Sequence, residues 1–455
     1  MIRSEIVASL QEASIHWMNQ KDAVTFANLQ HLTRELVQEH QDTGLAEYNR
    51  FLGIATRRLQ VDNEKLRDLL SGCRVLITGG TGCVGSELLG AVAQFTPAQL
   101  TSVSRGITTQ YPRLKSVRYV HADISHEDEI SKIFASERPH IVFHLAAQRD
   151  PGAAEADPIH TIQTNLIGTG NVIKACESVG VDRLVYASTG KALRPFSSDV
   201  YVSTKRAAEF LVSTMNQRGV TRGAAARFTH IVNNSIVLAK ILSAQRSSAI
   251  KLHAPSIGFY AQSATEAAHL LLNSASNASR DMMMNHSIRD LDWPVDLLDF
   301  TIGALASNRI AAPIYLGGFD PGYEPTLYPG LYDPDTAGSI SPLISSIEAH
   351  SLSRSGNSAV DAFTCTSNIS EGELREIARI RIATCVETAR VPLRRLSILL
   401  LDRTLRTLTK AQLQRTYELA SRSGQAENAD HEIITKKIIS LLGEFECSSS
   451  STKAS

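Results

Sequence analysis

The sequence predicts an α/β protein: a doubly wound parallel sheet, joined to a smaller mixed domain and extended by added helical segments at the N and C termini. Three observations predict it. Short apolar runs alternate with helix-length stretches from residue 72 to about 245, the beat of right-handed β-α-β units. The first run, Arg74–Thr78, passes directly into a glycine-rich turn and a helix start. Residues 1–70 and 369–443 carry apolar side chains at helical spacing with no strand-like runs.

Length and charge bound the function classes. A chain of 455 residues has room for two or three domains. Its 46 basic and 46 acidic side chains cancel, which gives no electrostatic footprint for nucleic acid or an acidic membrane. The six cysteines, at 73, 83, 176, 365, 385 and 447, form no CxxC pair and read as reduced thiols; no metal site is read from them. No apolar run is long enough to span a bilayer, and Met1 to Glu5 open no signal-peptide core, so a cytoplasmic location is expected.

Along the chain, Ile6, Leu10 and Ile15, then Val24, Phe26, Leu29, Leu32 and Leu36, then Tyr48, Leu52, Ile54 and Leu59 mark two or three amphipathic helices in a segment 1–70. This segment reads as an appendage that packs on the main domain or on a second subunit. Strands are expected at 74–78, 100–103, 117–121, 141–145, 183–187 and 224–228, within a dinucleotide-binding domain 71–245. A mixed substrate-binding region follows at 246–340, a Ser-, Ala- and Asn-rich linker at 341–368, a helical segment at 369–443 and a disordered low-complexity tail at 444–455. Residues 377–415 are locally basic, but apolar residues interleave at helical spacing, so an oligomer contact or a lid is favoured over nucleic-acid binding.

The turn after the first strand is Gly79-Gly80-Thr81-Gly82-Cys83-Val84-Gly85. Gly79 permits the tight turn, Gly82 lets the backbone approach a pyrophosphate, and Gly85 lets the helix pack on the strand, as in a Rossmann dinucleotide site. Thr78, Thr81, Cys83 and Val84 complete that cofactor-binding set, with Cys83 a small filler rather than a nucleophile. The second strand ends Ser104-Arg105, with no carboxylate to receive ribose hydroxyls, and Arg105 suits a 2′-phosphate; the cofactor is therefore read as NADP rather than NAD. Asp123, followed by Ile124, suits the adenine amino group. Farther on, Tyr201 and Lys205 share a helix face, where an ammonium lowers a phenol's pKa and readies it to take a proton from a substrate hydroxyl. The hydroxyls of Ser188-Thr189 end the strand before it.

These residues resemble the extended short-chain dehydrogenase/reductases. The resemblance rests on the glycine turn, His144-Leu145-Ala146-Ala147, Asn165-Leu166-Ile167-Gly168-Thr169, Ser188-Thr189 and Tyr201 with Lys205. Within them, Ser188-Thr189-Gly190-Lys191-Ala192 is similar to the S-T-D-K-A segment of the polysaccharide-biosynthesis branch, the inverting UDP-N-acetylhexosamine 4,6-dehydratases. It spans about residues 73 to 335 and includes Ile250 to Leu272 and Gly317 to Glu324. It implies Leu145, Ala146, Ala147 and Asn165 at the cofactor, and Gln148, Arg149, Arg227, Thr229, His230, Asn233, Tyr323 and Glu324 at a nucleotide-sugar substrate, with a homo-oligomer the expected state.

The implied chemistry is transient oxidation at C4 of a nucleotide-bound hexose. Tyr201 acts at O4, Lys205 tunes it, Thr189 orients O4 and Lys191 is the C5 base. The family's aspartate acid is replaced by Gly190. Three outcomes stay open: a dehydratase, most simply a UDP-N-acetylhexosamine dehydratase, with a relocated acid such as Asp199 or Asp150; an epimerase at C5 (or C4) without water loss; or elimination that stops at an unsaturated sugar. A non-catalytic NADP-binding scaffold or sensor is the reading outside enzymology.

Overall fold

The computed structural model describes residues 3–106, 111–323, 335, 338–354, 359–364, 369–422 and 429–451. They divide into two compact units: Leu59–Phe228 with Ala267–Asp290 and Thr326–Ser455, and Met1–Arg58 with Thr229–Glu266 and Leu291–Pro325. Among the described residues, no helix is long and apolar enough to cross a membrane.

The larger unit is built on one nine-stranded sheet, its strands numbered here along the chain: β1 Arg74–Thr78, β2 Gln99–Ser104, β3 Arg118–His121, β4 Ile141–His144, β5 Arg183–Thr189, β6 Arg222–Phe228, β7 Met284–Ile288, β8 Ser353–Arg354 and β9 Val360–Thr364. The order is β8-β9-β7-β6-β5-β4-β1-β2-β3. β1 to β7 run parallel, whereas β9 lies antiparallel on β7 and β8 antiparallel on β9. Val75, Leu76 and Ile77 are buried because helices cover both faces of the sheet, as a parallel sheet requires. Strand order reverses between β1 and β4, and ligands of such folds bind at the carboxyl ends there.

All six predicted strands are present, but three more were not foreseen. β7 carries Asn285, His286 and Ser287 buried in the sheet, and β9 carries buried Asp361, so neither reads as an apolar run. Asp361 is satisfied by Arg289 at 2.7 Å and by the Ser341 amide at 2.8 Å. The segment 341–368 is thus no plain linker: it supplies β8, β9 and the short helix Ser346–Ala349.

Helices Glu371–Arg381 and Val386–Arg406 bury Ile380, Leu393, Leu396 and Leu400 against Ile162, Leu166, Val200 and Phe210 of the same unit. The arginines of this basic stretch are largely ion-paired, Arg381 with Glu127, Arg390 with Glu155, Arg403 with Glu373 and Arg406 with Asp402 and Glu444. The last helix, Ala429–Ser451, enters the expected disordered tail; residues 452–455 lie outside the described ones.

The N-terminal helices are not an appendage. Arg3–Gln20 and Ala23–Ile54 form the core of the smaller unit with the helix Leu297–Ser307 and the strand Ile314–Leu316. Asp22 caps the second helix through the Thr25 amide at 2.8 Å. That helix meets Leu297–Ser307 at Gly44 and Gly303, where a β-carbon on Gly303 would run into the Gly44 carbonyl. Phe51 and Phe300 stack beside the crossing, 4.5 Å between ring centres. The Thr33 and Ser14 hydroxyls accept the Ile314 and Leu316 amides at 3.0 and 2.8 Å, so helix side chains satisfy a strand edge.

Candidate active site

At the end of β1 the chain turns with Gly79 at φ +74°, a conformation that favours glycine, and a β-carbon there would lie 2.7 Å from the Ala146 amide. A β-carbon on Gly85 would collide with the Gly79 carbonyl. The helix Cys83–Ala93 starts at Gly82 with no side chain capping it, leaving its first amides for an anion. This cradle fits a dinucleotide pyrophosphate. Thr81 donates to the Gly106 carbonyl at 3.1 Å, and Val84 lies half-buried in the helix's first turn. Burial pushes the Cys83 thiol up, as suits a filler.

Thr78 works inside the protein. Its hydroxyl meets His144 Nδ1 at 2.7 Å and accepts the Leu145 and Ala146 amides at 3.2 Å, fixing the start of Leu145-Ala146-Ala147. His144 Nε2 meets Thr169 at 2.9 Å, and burial drives its pKa down to about 3, so it is neutral. Asn165, in a π-helical turn Gln163–Gly168, holds Gln148 at both backbone atoms, at 2.8 and 3.0 Å. π-turns gather at functional sites, and this one fixes the loop after β4.

Arg105 follows β2. Its guanidinium lies 2.9 Å from His160 Nε2 and 3.6 Å from Asp123, whose other oxygen accepts the Ser125 amide and hydroxyl. Ser104 Oγ is buried with no partner among the described residues, an acceptor and donor available to a ligand. Ile124 is buried against Gly168, so its side chain packs rather than contacts a ligand.

Tyr201, Lys205 and Glu209 line one face of the helix Val200–Gln217. Tyr201 is 8% exposed, and its phenol is close enough to the Thr189 side chain at the end of β5 to be influenced by it. Burial raises the phenol; the Thr189 side chain and the Arg149 charge pull it back, and Asp150 opposes them. The expected depression by Lys205 is not what the structure has. Lys205 donates to the Ala187 carbonyl at 2.6 Å and lies over the Tyr186 ring, and burial lowers it to about 7 against the pull of Glu209. Lys191 sits in the one-turn helix Gly190–Leu193, its amide donating to Thr189 Oγ1 at 3.4 Å.

Arg227, expected at the substrate, is instead a buried strut with no exposed surface. It binds both oxygens of Glu209, at 2.9 and 2.8 Å, and both oxygens of Glu348, at 2.9 and 2.7 Å. Ser188 donates to the same Glu209 at 2.5 Å. Glu209 escaped the sequence reading, although its spacing from Tyr201 and Lys205 places it on their face. The two proposed relocated acids have local duties: Asp150 caps Pro151–Ala156 through the amides of Gly152 and Ala153, and Asp199 pairs with Arg194 at 3.8 Å.

The remaining candidates lie in the smaller unit. Thr229 donates to the Tyr260 carbonyl at 2.7 Å, and Asn233 accepts the Ala264 amide at 2.8 Å. His230 packs between Phe51 and Phe259 with Nε2 2.8 Å from Ser235, a packed ring rather than a poised donor. Tyr323 stacks on His253, ring centres 4.8 Å apart, and His253 and Lys251 both reach Asp320. Glu324 lies outside the described residues.

Residues 75–300 match the family described as polysaccharide biosynthesis protein. The chain is 24% identical over 290 residues to the probable polysaccharide biosynthesis protein EpsC of Bacillus subtilis (strain 168), covering 61% of this chain and 46% of that one. It is 31% identical over 175 residues to the inverting UDP-N-acetylglucosamine 4,6-dehydratase of Campylobacter jejuni subsp. jejuni (strain 81-176), covering 36% and 51%. It thus spans about half the length of these curated relatives. Among solved structures, Pen from Bacillus thuringiensis shares the fold, with a TM-score of 0.54 at 22% identity over 66% of this chain and 90% of that one.

Proposed function

Residues 75–300 place this chain in the polysaccharide biosynthesis family of extended short-chain dehydrogenase/reductases, and from that premise we propose an NADP-dependent enzyme that modifies a UDP-linked hexose through a transient 4-ketone. The observation that carries this reading is the helix face that sets the buried Tyr201 phenol and Lys205 beside Thr189 at the end of β5, a set of proton-handling groups that a binding scaffold does not need. The glycine cradle and the buried Ser104 hydroxyl would hold the dinucleotide, and Arg105 supports the choice of NADP. Bound NADP supplies the redox partner for C4.

In this reading Tyr201 removes the O4 proton as C4 is oxidised, and Thr189 orients O4. Lys205, near neutrality in its buried setting, is a nearby reserve of charge. Once C4 is a ketone, the C5 proton is acidic and Lys191 takes it. Loss of water next requires an acid at the C6 oxygen. Position 190 has none, and Asp150 and Asp199 are engaged as a helix cap and an arginine partner. These facts favour reprotonation of C5 on the opposite face and reduction of the 4-ketone back to the alcohol, which makes the enzyme a C5 epimerase. The second reading, UDP-N-acetylhexosamine dehydration, is favoured by the 31% identical relative of that activity.

The test incubates the purified protein with NADP and a panel of UDP- and dTDP-hexoses, UDP-N-acetylglucosamine first, in deuterated water. Deuterium at C5 with the sugar otherwise intact, and transient reduced-cofactor absorbance, are expected. Loss of water selects dehydration. No deuterium uptake, no water loss and no redox cycling across the panel rejects the enzyme.

A further inference from the structure

Gly190 sits against Leu343. A β-carbon at position 190 would lie 2.6 Å from Leu343 Cδ2 and 3.3 Å from the Phe228 carbonyl. Leu343 is not loosely placed. Its carbonyl accepts from Arg227 at 3.2 Å, its amide donates to Ser341 Oγ at 3.2 Å, and the Ser341 amide is held by Asp361 at 2.8 Å. On its other side, Ser345 and Glu348 form a capping box, and Glu348 is bound by Arg227 and approached by Arg206 at 3.5 Å. The segment 341–348 is therefore riveted at both ends to buried charges, and it lays hydrocarbon on the residue between Thr189 and Lys191.

We propose that Leu343, docked on Gly190 by the Arg227–Glu348 anchor, determines the outcome of the reaction by keeping the space beside Lys191 apolar and without a proton donor. This rests on the 4-ketone reading above. Lys191 takes the C5 proton, and the C5–H electron pair moves into the C4 carbonyl to give an enolate. Breaking the C6–O bond would require a proton on the departing oxygen, and hydrocarbon offers none. The enolate collapses instead, C5 is reprotonated by the Lys191 ammonium, the 4-ketone is reduced back to the alcohol, and the C6–O bond stays intact. A side chain at 190 and the Leu343 methyls compete for one volume, so an acid is admitted only when Leu343 is cut back.

Four full-length proteins test this: wild type, Gly190→Asp, Leu343→Ala and the double variant Gly190→Asp/Leu343→Ala, each with NADP and UDP-N-acetylglucosamine in deuterated water, read by mass spectrometry. Wild type is expected to exchange deuterium at C5 without losing water. Gly190→Asp alone gains no dehydration, and the double variant dehydrates roughly a hundredfold faster than the single, the scale of one placed acid. Dehydration by wild type, or by Gly190→Asp at the double variant's rate, overturns the proposal. So does C5 exchange without dehydration in the double variant. Absence of C5 exchange, dehydration and redox cycling in all four rejects the 4-ketone reading itself. A thermal-melting cycle checks the contact independently of activity: Gly190→Ala should lower the melting temperature in wild type and lower it less in Leu343→Ala. Equal shifts in the two backgrounds refute the competition.

Discussion

Arg227 grips Glu209 through two parallel hydrogen bonds, 2.9 and 2.8 Å long, with no exposed surface on either side chain. Glu209 lies two turns along the helix from Tyr201 and also receives the Ser188 hydroxyl, so this one carboxylate ties the helix Val200–Gln217 to the ends of β5 and β6. Removing one partner strands the other charge. Arg227→Met should therefore destabilise the protein by about 3–5 kcal/mol, measured by denaturant unfolding.

Tyr201→Phe should lower turnover by about 10²–10⁴-fold while leaving NADP bound, as shown by titration of the cofactor. Thr189→Val removes a hydroxyl that lowers the Tyr201 phenol's pKa. The limb of the rate–pH profile that reports Tyr201 ionisation should then move to higher pH. A limb that stays in place would detach Thr189 from Tyr201.

Arg105→Ala should weaken NADP binding by about 1.5–3 kcal/mol, roughly 10–150-fold, and leave NAD affinity nearly unchanged. Calorimetric titration with both cofactors reads this. Equal losses for the two would remove the 2′-phosphate from the reading of this side chain.

Stability should rise with pH in two windows. His144 and His286 are buried neutral, their pKa values lowered from 6.5 to about 3 and about 4. Between about pH 6.5 and 4 the unfolded chain binds protons there that the folded chain refuses, so stability falls on acidification. Lys205, lowered from 10.5 to about 7, has the same sign in a higher window: the unfolded chain holds more protons from about pH 7 to 10.5, and stability climbs across it. Lys205→Met should flatten that upper climb in unfolding curves taken at successive pH values.

What the sequence made legible was local. Six of the seven parallel strands announce themselves by apolar runs, and the glycine turn and the Tyr201–Lys205 spacing each lie within a few residues. What it hid depends on distant partners. Arg227 looked like a site residue because its neighbours follow a family motif, but its partner Glu348 is 121 residues away. β7 and β9 escaped notice because Asn285, His286 and Asp361 are polar residues satisfied or sheltered only by the folded sheet. Leu343, in a serine-rich stretch, gains meaning only from Gly190 beneath it.

The Gly44–Gly303 crossing also sets an order of events during synthesis. The helix Ala23–Ile54 leaves the ribosome well before its packing partner Leu297–Ser307, and roughly 240 residues separate them. At about 5–20 residues per second, the apolar face carrying Leu29, Leu36 and Phe51 waits some ten to fifty seconds for the surface that covers it. That face is open to other apolar surfaces in the interval, and strands β1 to β7 are synthesised before the first helices gain their partner.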